Sequence, residues 1–253
     1  MSYTNSKDNS QIYYEVTGNG KTALLLVHGW LGNVRWWDAT RDYFKSSYQV
    51  VTIDLGGHGK SDKNREPSVE NYVQDIVAVA KNISAEKIIL VGHSMSGGYV
   101  MEASHKIAKT SKIVLVDTLQ NLDFVMVPEQ INGFAQTVLQ DYETAVNTIL
   151  KEELFQATSP QEVVKRVLGE FLLVSPEVSM SLLIPFFEHD FRGAAKRNQI
   201  PVCAVNADKH PTNMEACLKY LKDFKMEIVK GVGHYPMLEK PLDFNQALEK
   251  CLP

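Results

Sequence analysis

Two residues far apart in this chain, Ser94 and His234, have the surroundings needed to make a hydroxyl nucleophilic at neutral pH. Ser94 follows an apolar run of strand length, Ile88-Ile89-Leu90-Val91, that stops at Gly92-His93. The chain restarts at Met95 with a helical pattern carrying Tyr99, Val100, Ala103 and Ile107. A strand that turns sharply into a helix at a serine pushes the hydroxyl out above a sheet, the arrangement known as a nucleophile elbow. Gly92 lets the strand end turn without a Cβ clash, and Gly97 lets the helix pack close to the sheet. The usual spacing puts glycine at position 96; this chain has Ser96, with the glycines at 97 and 98, so a slightly looser turn is expected. His234 ends a glycine-rich stretch, Gly231-Val232-Gly233, after the last strand pattern. There it would take the Ser94 proton and return it to a leaving group, worth roughly 10²- to 10⁴-fold in rate.

Such chemistry also needs donors for a developing oxyanion. The apolar run Ala23-Leu24-Leu25-Leu26-Val27 ends in His28-Gly29-Trp30, where the chain turns away from the sheet and exposes main-chain N–H groups. The amides of Trp30 and Met95 are the expected pair, each worth about 10²- to 10³-fold. His28 and His93 read as supports of the turn and the elbow. Asp54-Leu55-Gly56-Gly57-His58-Gly59-Lys60-Ser61 lacks the spacing of a phosphate-binding loop and reads as structural.

These residues need a sheet to hold them. Gln11–Val16 reads as an edge strand, and Ala23–Val27, Gln49–Ile53, Ile88–Val91 and Ser111–Val116 as strands, the last closing on Asp117. Between them lie helical patterns, one capped by Ser68 and carrying Val69, Tyr72, Val73, Ile76, Val77 and Ala80. Strands alternating with helices make a mostly parallel sheet flanked by helices, an α/β fold. From residue 120 to residue 196 helical periodicity takes over, with a capping box predicted at Ser159-Pro160-Gln161-Glu162 and an interruption at Pro185. This stretch holds 11 acidic and 5 basic residues and seven of the ten phenylalanines, the composition of an acid-surfaced lid with an apolar underside. Strands resume at Ile200–Val205 and Lys225–Val229, and a last helix carries Phe244, Ala247 and Leu248.

A net charge of -4 offers no basic stripe to nucleic acid or an anionic membrane. The polar N-terminus has no signal-peptide core, and no run approaches 18 apolar residues. Cys203, Cys217 and Cys251 show neither disulfide-framework nor zinc spacing and read as reduced thiols of a cytoplasmic protein.

Four segments stand in one order: His28-Gly29-Trp30, Asp54 to Ser61, Gly92-His93-Ser94-Met95 and Gly231-Val232-Gly233-His234. Together they resemble the α/β-hydrolase fold superfamily, in the branch whose helical cap is inserted after the sixth strand. The resemblance covers residues 10 to 250. It implies a core of residues 1–119 and 197–253 with a cap at 120–196, and a serine hydrolase with no metal or organic cofactor. It also implies a triad acid, for which two residues compete. The family usually places it after the strand that begins at Pro201, ahead of a proline; aligned on Pro211, that position holds His210, and an imidazole cannot serve. Asp208 lies two residues early, and Asp117 ends the strand after the elbow, a position some members use. A two-residue offset is about 6 to 7 Å along an extended chain, which favours Asp117 slightly.

The expected reaction is hydrolysis of a small to medium apolar carboxylic ester through an acyl-enzyme on Ser94. C–C bond hydrolysis, lactone opening and cofactor-free lyase or oxygenase chemistry use the same parts, and a non-catalytic ligand receptor is the rival from another class. The expected partner is a small-molecule substrate, with no nucleic acid and no membrane, and room for a homodimer.

Overall fold

The apolar runs become strands whose side chains are buried along almost their whole length, as a sheet covered on both faces requires. The structure, a computed structural model, describes residues 2–252. Its strands are β1 (Ser2–Asn5), β2 (Gln11–Thr17), β3 (Thr22–Val27), β4 (Gln49–Ile53), β5 (Lys87–His93), β6 (Thr110–Val116), β7 (Val202–Ala207) and β8 (Lys225–Val229). They form one 8-stranded sheet in the order β1-β2-β4-β3-β5-β6-β7-β8. Only the β1–β2 and β2–β4 pairings are antiparallel. The stretch read as an edge strand is therefore second in the sheet. The polar N-terminus folds back through a turn at Asn9 (φ 68°) and takes the edge itself.

Between β1 and β6 lie α1 (Asp38–Phe44), α2 (Val69–Ala80) and α3 (Met95–Ser104). Ser68 caps α2 by accepting from the Asn71 N–H. The cap is inserted after β6, as the resemblance implies: α4 (Pro128–Gln140), α5 (Tyr142–Ala145), α6 (Lys151–Leu154), α7 (Gln161–Leu172), α8 (Pro176–Glu188) and α9 (Arg192–Arg197). A π-helical turn at Val146–Leu150 joins α5 to α6. After β7 come α10 (Met214–Tyr220) and, beyond β8, α11 (Pro236–Glu239) and α12 (Pro241–Cys251). Among the described residues no single helix is long and apolar enough to cross a membrane.

Three further expectations are corrected. Pro185 does not end α8, which runs on to Glu188. Losing one N–H frees only the Ser181 carbonyl, and the buried Leu182 and Leu183 keep the helix on the core. Ser159 does not cap α7, whose N-cap is Pro160, because its hydroxyl donates instead to the buried Glu239 carboxylate. A bond to a carboxylate is stronger than one to a main-chain amide. Cys203 and Cys251 are not free thiols: they form a disulfide that ties α12 to β7, leaving Cys217 as the free, buried cysteine. The argument from three reduced thiols to a cytoplasmic location goes with it.

Candidate active site

Parallel strands bring their carboxyl ends to one edge, and register decides which residues meet there. His93 of β5 pairs with Val116 of β6, so Ser94 and Asp117 are the next residues on adjacent strands. The Ser94 N–H donates to the Val116 carbonyl (3.0 Å), and the Asp117 N–H to the Val205 carbonyl of β7 (3.1 Å). Ser94 sits at φ 55°, ψ -127° between β5 and α3, a conformation costly for a residue with a Cβ. Among the described residues six non-glycines have positive φ, and four of them, Leu31, Ser94, Asp117 and Leu119, lie just past strands that end at this edge. A methyl group at position 92 would collide with the Ser96 carbonyl, so Gly92 is required by the close approach of the elbow to its own helix.

The turn at Ser96 is tied down rather than loosened. Ser96 is buried and its hydroxyl donates to the His28 carbonyl, binding the elbow to the turn after β3. In that turn a Cβ on Gly29 would stand 2.8 Å from the Ser94 Cβ, which brings the Trp30 peptide close to the serine. Among the described residues neither the Trp30 nor the Met95 N–H is taken up by an acceptor of the fold. The Trp30 indole donates to the Ser179 carbonyl (2.7 Å) and its ring lies 5.0 Å from that of Phe171, fixing the turn under the cap.

His234 comes from the loop after β8, two strands away from β6. Its Nδ1 is 2.7 Å from Asp117 Oδ2, donating to the carboxylate. Asp117 Oδ1 accepts from the Ala207 N–H (2.9 Å) and from Gln120 Nε2 (2.9 Å). Burial alone would push the Asp117 carboxyl up; the His234 and Ala207 hydrogen bonds outweigh it and hold it below the ordinary aspartate range. Asp208 is placed elsewhere: its Oδ1 accepts from the Gly231 N–H (2.8 Å) and from Gln156 Nε2 (2.9 Å), bracing the base of the histidine loop. The structure thus brings His234 to Asp117 and not to Asp208. The His234 side chain is 20% exposed and that of Asp117 5%, so the imidazole is within reach of a ligand while its carboxylate partner is shielded.

Two contacts escaped sequence reasoning. His93 Nε2 donates to the His234 carbonyl (2.7 Å), so the residue before Ser94 holds the backbone of the imidazole. Glu239 accepts from the N–H groups on either side of His234, Gly233 (2.8 Å) and Tyr235 (3.1 Å). The signal available for it was a carboxylate framed by Pro236 and Pro241 at an otherwise apolar position.

Three buried imidazoles support the strand ends in neutral form. Leu55 N–H donates to His28 Nε2, and the Nδ1 groups of His28 and His58 donate to the Gly29 and Gly56 carbonyls. Burial lowers His28 and His58 below the ordinary value of 6.5. Burial and the neighbouring His234 push His93 down to about 3. As pH falls below 6.5 the unfolded chain takes up protons that the folded rings resist, so the stability they give above 6.5 is lost on acidification, for His93 down to about 3. Each site adds a slope of up to about 1.4 kcal/mol per pH unit. Urea unfolding at pH 7, 6 and 5 should show stability falling at each step; a flat profile over that range would show these rings are not held neutral.

A cavity of about 340 Å³ opens beside the end of β6, lined in part by Leu119, Leu122, Phe124, Phe186, Phe187 and Phe191, but not by Ser94 or His234. Phe191 packs where Gly98 would carry a side chain, one helical turn past Ser94. Among the described residues no group of three or more His, Cys, Asp or Glu side chains is arranged to hold a metal ion.

Residues 24–247 match the profile of the family described as "Alpha/beta hydrolase family". The strigolactone esterase D14 of Arabidopsis thaliana is 25% identical, over 94% of this chain and 95% of that protein. Among solved structures, a bromoperoxidase from Bacillus anthracis superposes with a TM-score of 0.85 at 21% identity over 99% of both chains. An esterase from Exiguobacterium antarcticum gives 0.86 at 18% identity over 98% of both, so the likeness is one of fold.

Proposed function

The chain belongs to the alpha/beta hydrolase family, and from that premise we propose that it is a serine hydrolase of small to medium apolar carboxylic esters. Ser94 Oγ attacks the ester carbonyl carbon as its proton passes to His234 Nε2. The oxyanion so formed is held by the Trp30 and Met95 amides. Collapse breaks the bond to the alkoxy oxygen, which leaves as the alcohol with the proton from His234, and the acyl group stays on Ser94. Water then attacks the acyl-enzyme, giving its proton to His234, and Ser94 Oγ leaves with that proton to release the acid. Asp117 stays ionised throughout, holding the imidazole with its acceptor nitrogen toward Ser94.

The observation that carries this reading is the 2.7 Å contact from His234 Nδ1 to Asp117 Oδ2, on a strand end adjoining that of Ser94. The ester class draws support from the esterase named among the relatives and from the phenylalanine-lined cavity. We assign residues 120–196 to the cap and residues 1–119 and 197–253 to the core, with Phe186, Phe187 and Phe191 of the cap receiving the acyl chain.

A fluorophosphonate probe tests the nucleophile, with labelling at Ser94 as the expected result. Binding of an ester without labelling or turnover would favour the receptor reading instead. With p-nitrophenyl esters of increasing length, each methylene that enters the cavity should raise kcat/KM by about fourfold, from roughly 0.8 kcal/mol of burial. Phe187→Trp should move the preferred ester to a shorter chain. An unchanged chain-length profile in that variant would show that the acyl group goes elsewhere.

A further inference from the structure

Resting on the reading of His234 as general base, we propose that Glu239 is the positioning residue that holds this imidazole, and that it does so jointly with the cap through Ser159. The loop carrying His234 starts at β8 and must return across β7 to reach Asp117, a sideways distance of about 10 Å for two strand spacings. It begins with Gly231 and Gly233, which do nothing to stiffen it. A single carboxylate ties it on both sides of His234. Glu239 is 5% exposed, and its Oε2 accepts from the Gly233 N–H (2.8 Å) while its Oε1 accepts from the Tyr235 N–H (3.1 Å). The N–H groups of the residues before and after His234 are therefore held by one side chain.

A glutamate in the first turn of α11 could do no more than satisfy that helix's own N-terminus, and the Tyr235 contact alone would fit this. The Gly233 contact lies outside the helix, and so does the third. Ser159, in the segment between α6 and α7, donates its hydroxyl to Glu239 Oε2 (2.5 Å). The same cap segment meets the loop four times more, with Gln156 Nε2 donating to the Val232 carbonyl (2.7 Å) and the Thr158 hydroxyl to the Gly231 carbonyl (3.2 Å). The His234 N–H donates to the Leu154 carbonyl (2.7 Å), and the Phe155 ring stacks on Tyr235 at 5.3 Å. The histidine loop is clasped between a core carboxylate and the cap, with Ser159 joining the two. Anything that shifts the cap segment shifts the base.

Glu239 is buried beneath the loop, so losing its contacts should show in the chemical step and leave substrate affinity alone. The experiment compares E239Q, S159A and the double variant with the parent protein, using a p-nitrophenyl ester and the rate of fluorophosphonate labelling at Ser94. In E239Q the amide keeps one acceptor oxygen but turns N–H groups toward a main-chain N–H. A displacement of about 1 Å lowers rates by about 10²-fold, so E239Q should lose 10- to 100-fold in kcat, with KM within about threefold. Labelling should slow by the same factor. S159A should lose about three- to tenfold with the same signature, and the double variant should be no slower than E239Q, because both act through one contact.

A folded E239Q with kcat within twofold of the parent overturns the proposal, as does an effect confined to KM. Multiplying losses in the double variant overturn the coupling to the cap. If E239Q does not fold, S159A decides alone, and a parental kcat in it overturns the proposal. His234→Ala serves as the separate control: full activity there removes the reading on which the proposal rests, while its loss beside an unaffected E239Q removes only the proposal.

Discussion

Ser94→Ala is expected to lower kcat on a p-nitrophenyl ester by about 10⁴- to 10⁶-fold, the range seen when a serine nucleophile is removed from an intact triad. Without Oγ no acyl-enzyme can form. What remains is attack by water assisted by the two amides, in a site built around an oxygen that is gone. The fold should survive. Ser94 makes no side-chain cap bond, and alanine at φ 55° meets the same backbone strain that serine already bears. A circular-dichroism melt within a few degrees of the parent, with no burst of p-nitrophenol, is the outcome that fits. A variant keeping a tenth of the parental kcat would show that the nucleophile is another group or a free water.

The elbow and its strand could be read in the sequence because each part is local. Ile88 to Gly92 and the helical spacing after Met95 fix a strand, a turn and a helix whatever the rest of the chain does. The Ser68 cap and the change of character at the cap insertion were legible for the same reason. What the sequence left open depends on where loops cross. Asp117 held only a slight advantage over Asp208 because both follow strands that end at the same edge. Only the path of the β8 loop, set by Leu154, Glu239 and the His93 imidazole, brings His234 down on one of them. Ser159 was misread for a kindred reason: its neighbours in sequence announce a helix cap, but its neighbour in space is a buried carboxylate. The pairing of Cys203 with Cys251 needed α12 laid along β7, which no spacing of three cysteines can reveal. Ser96 was judged by size alone, and its hydroxyl turns out to join two turns that are 68 residues apart.

The same crossing sets up the sharpest contrast between two conservative substitutions. Asp117→Asn is expected to lower kcat by about 10⁴-fold, because it reverses the imidazole rather than removing a contact. In the native arrangement Asp117 Oδ1 is committed to the Ala207 N–H and Gln120, and Oδ2 accepts from His234 Nδ1. An asparagine that keeps its oxygen on those two donors must turn its NH₂ toward Nδ1. That nitrogen then has to accept, the ring proton moves to Nε2, and the nitrogen proposed to take the Ser94 proton is no longer a base. Asp208→Asn has no such lever. Its oxygen can still accept from Gly231 and Gln156, so the expected loss is about 1 kcal/mol of stability and no more than a few-fold in kcat. Steady-state kinetics on the two purified variants decides the matter. Small and equal effects would mean that the imidazole finds its orientation from something other than a carboxylate. A large effect in Asp208→Asn alone would mean that the β8 loop takes a different path in the working protein, one that carries His234 over β7 and away from β6.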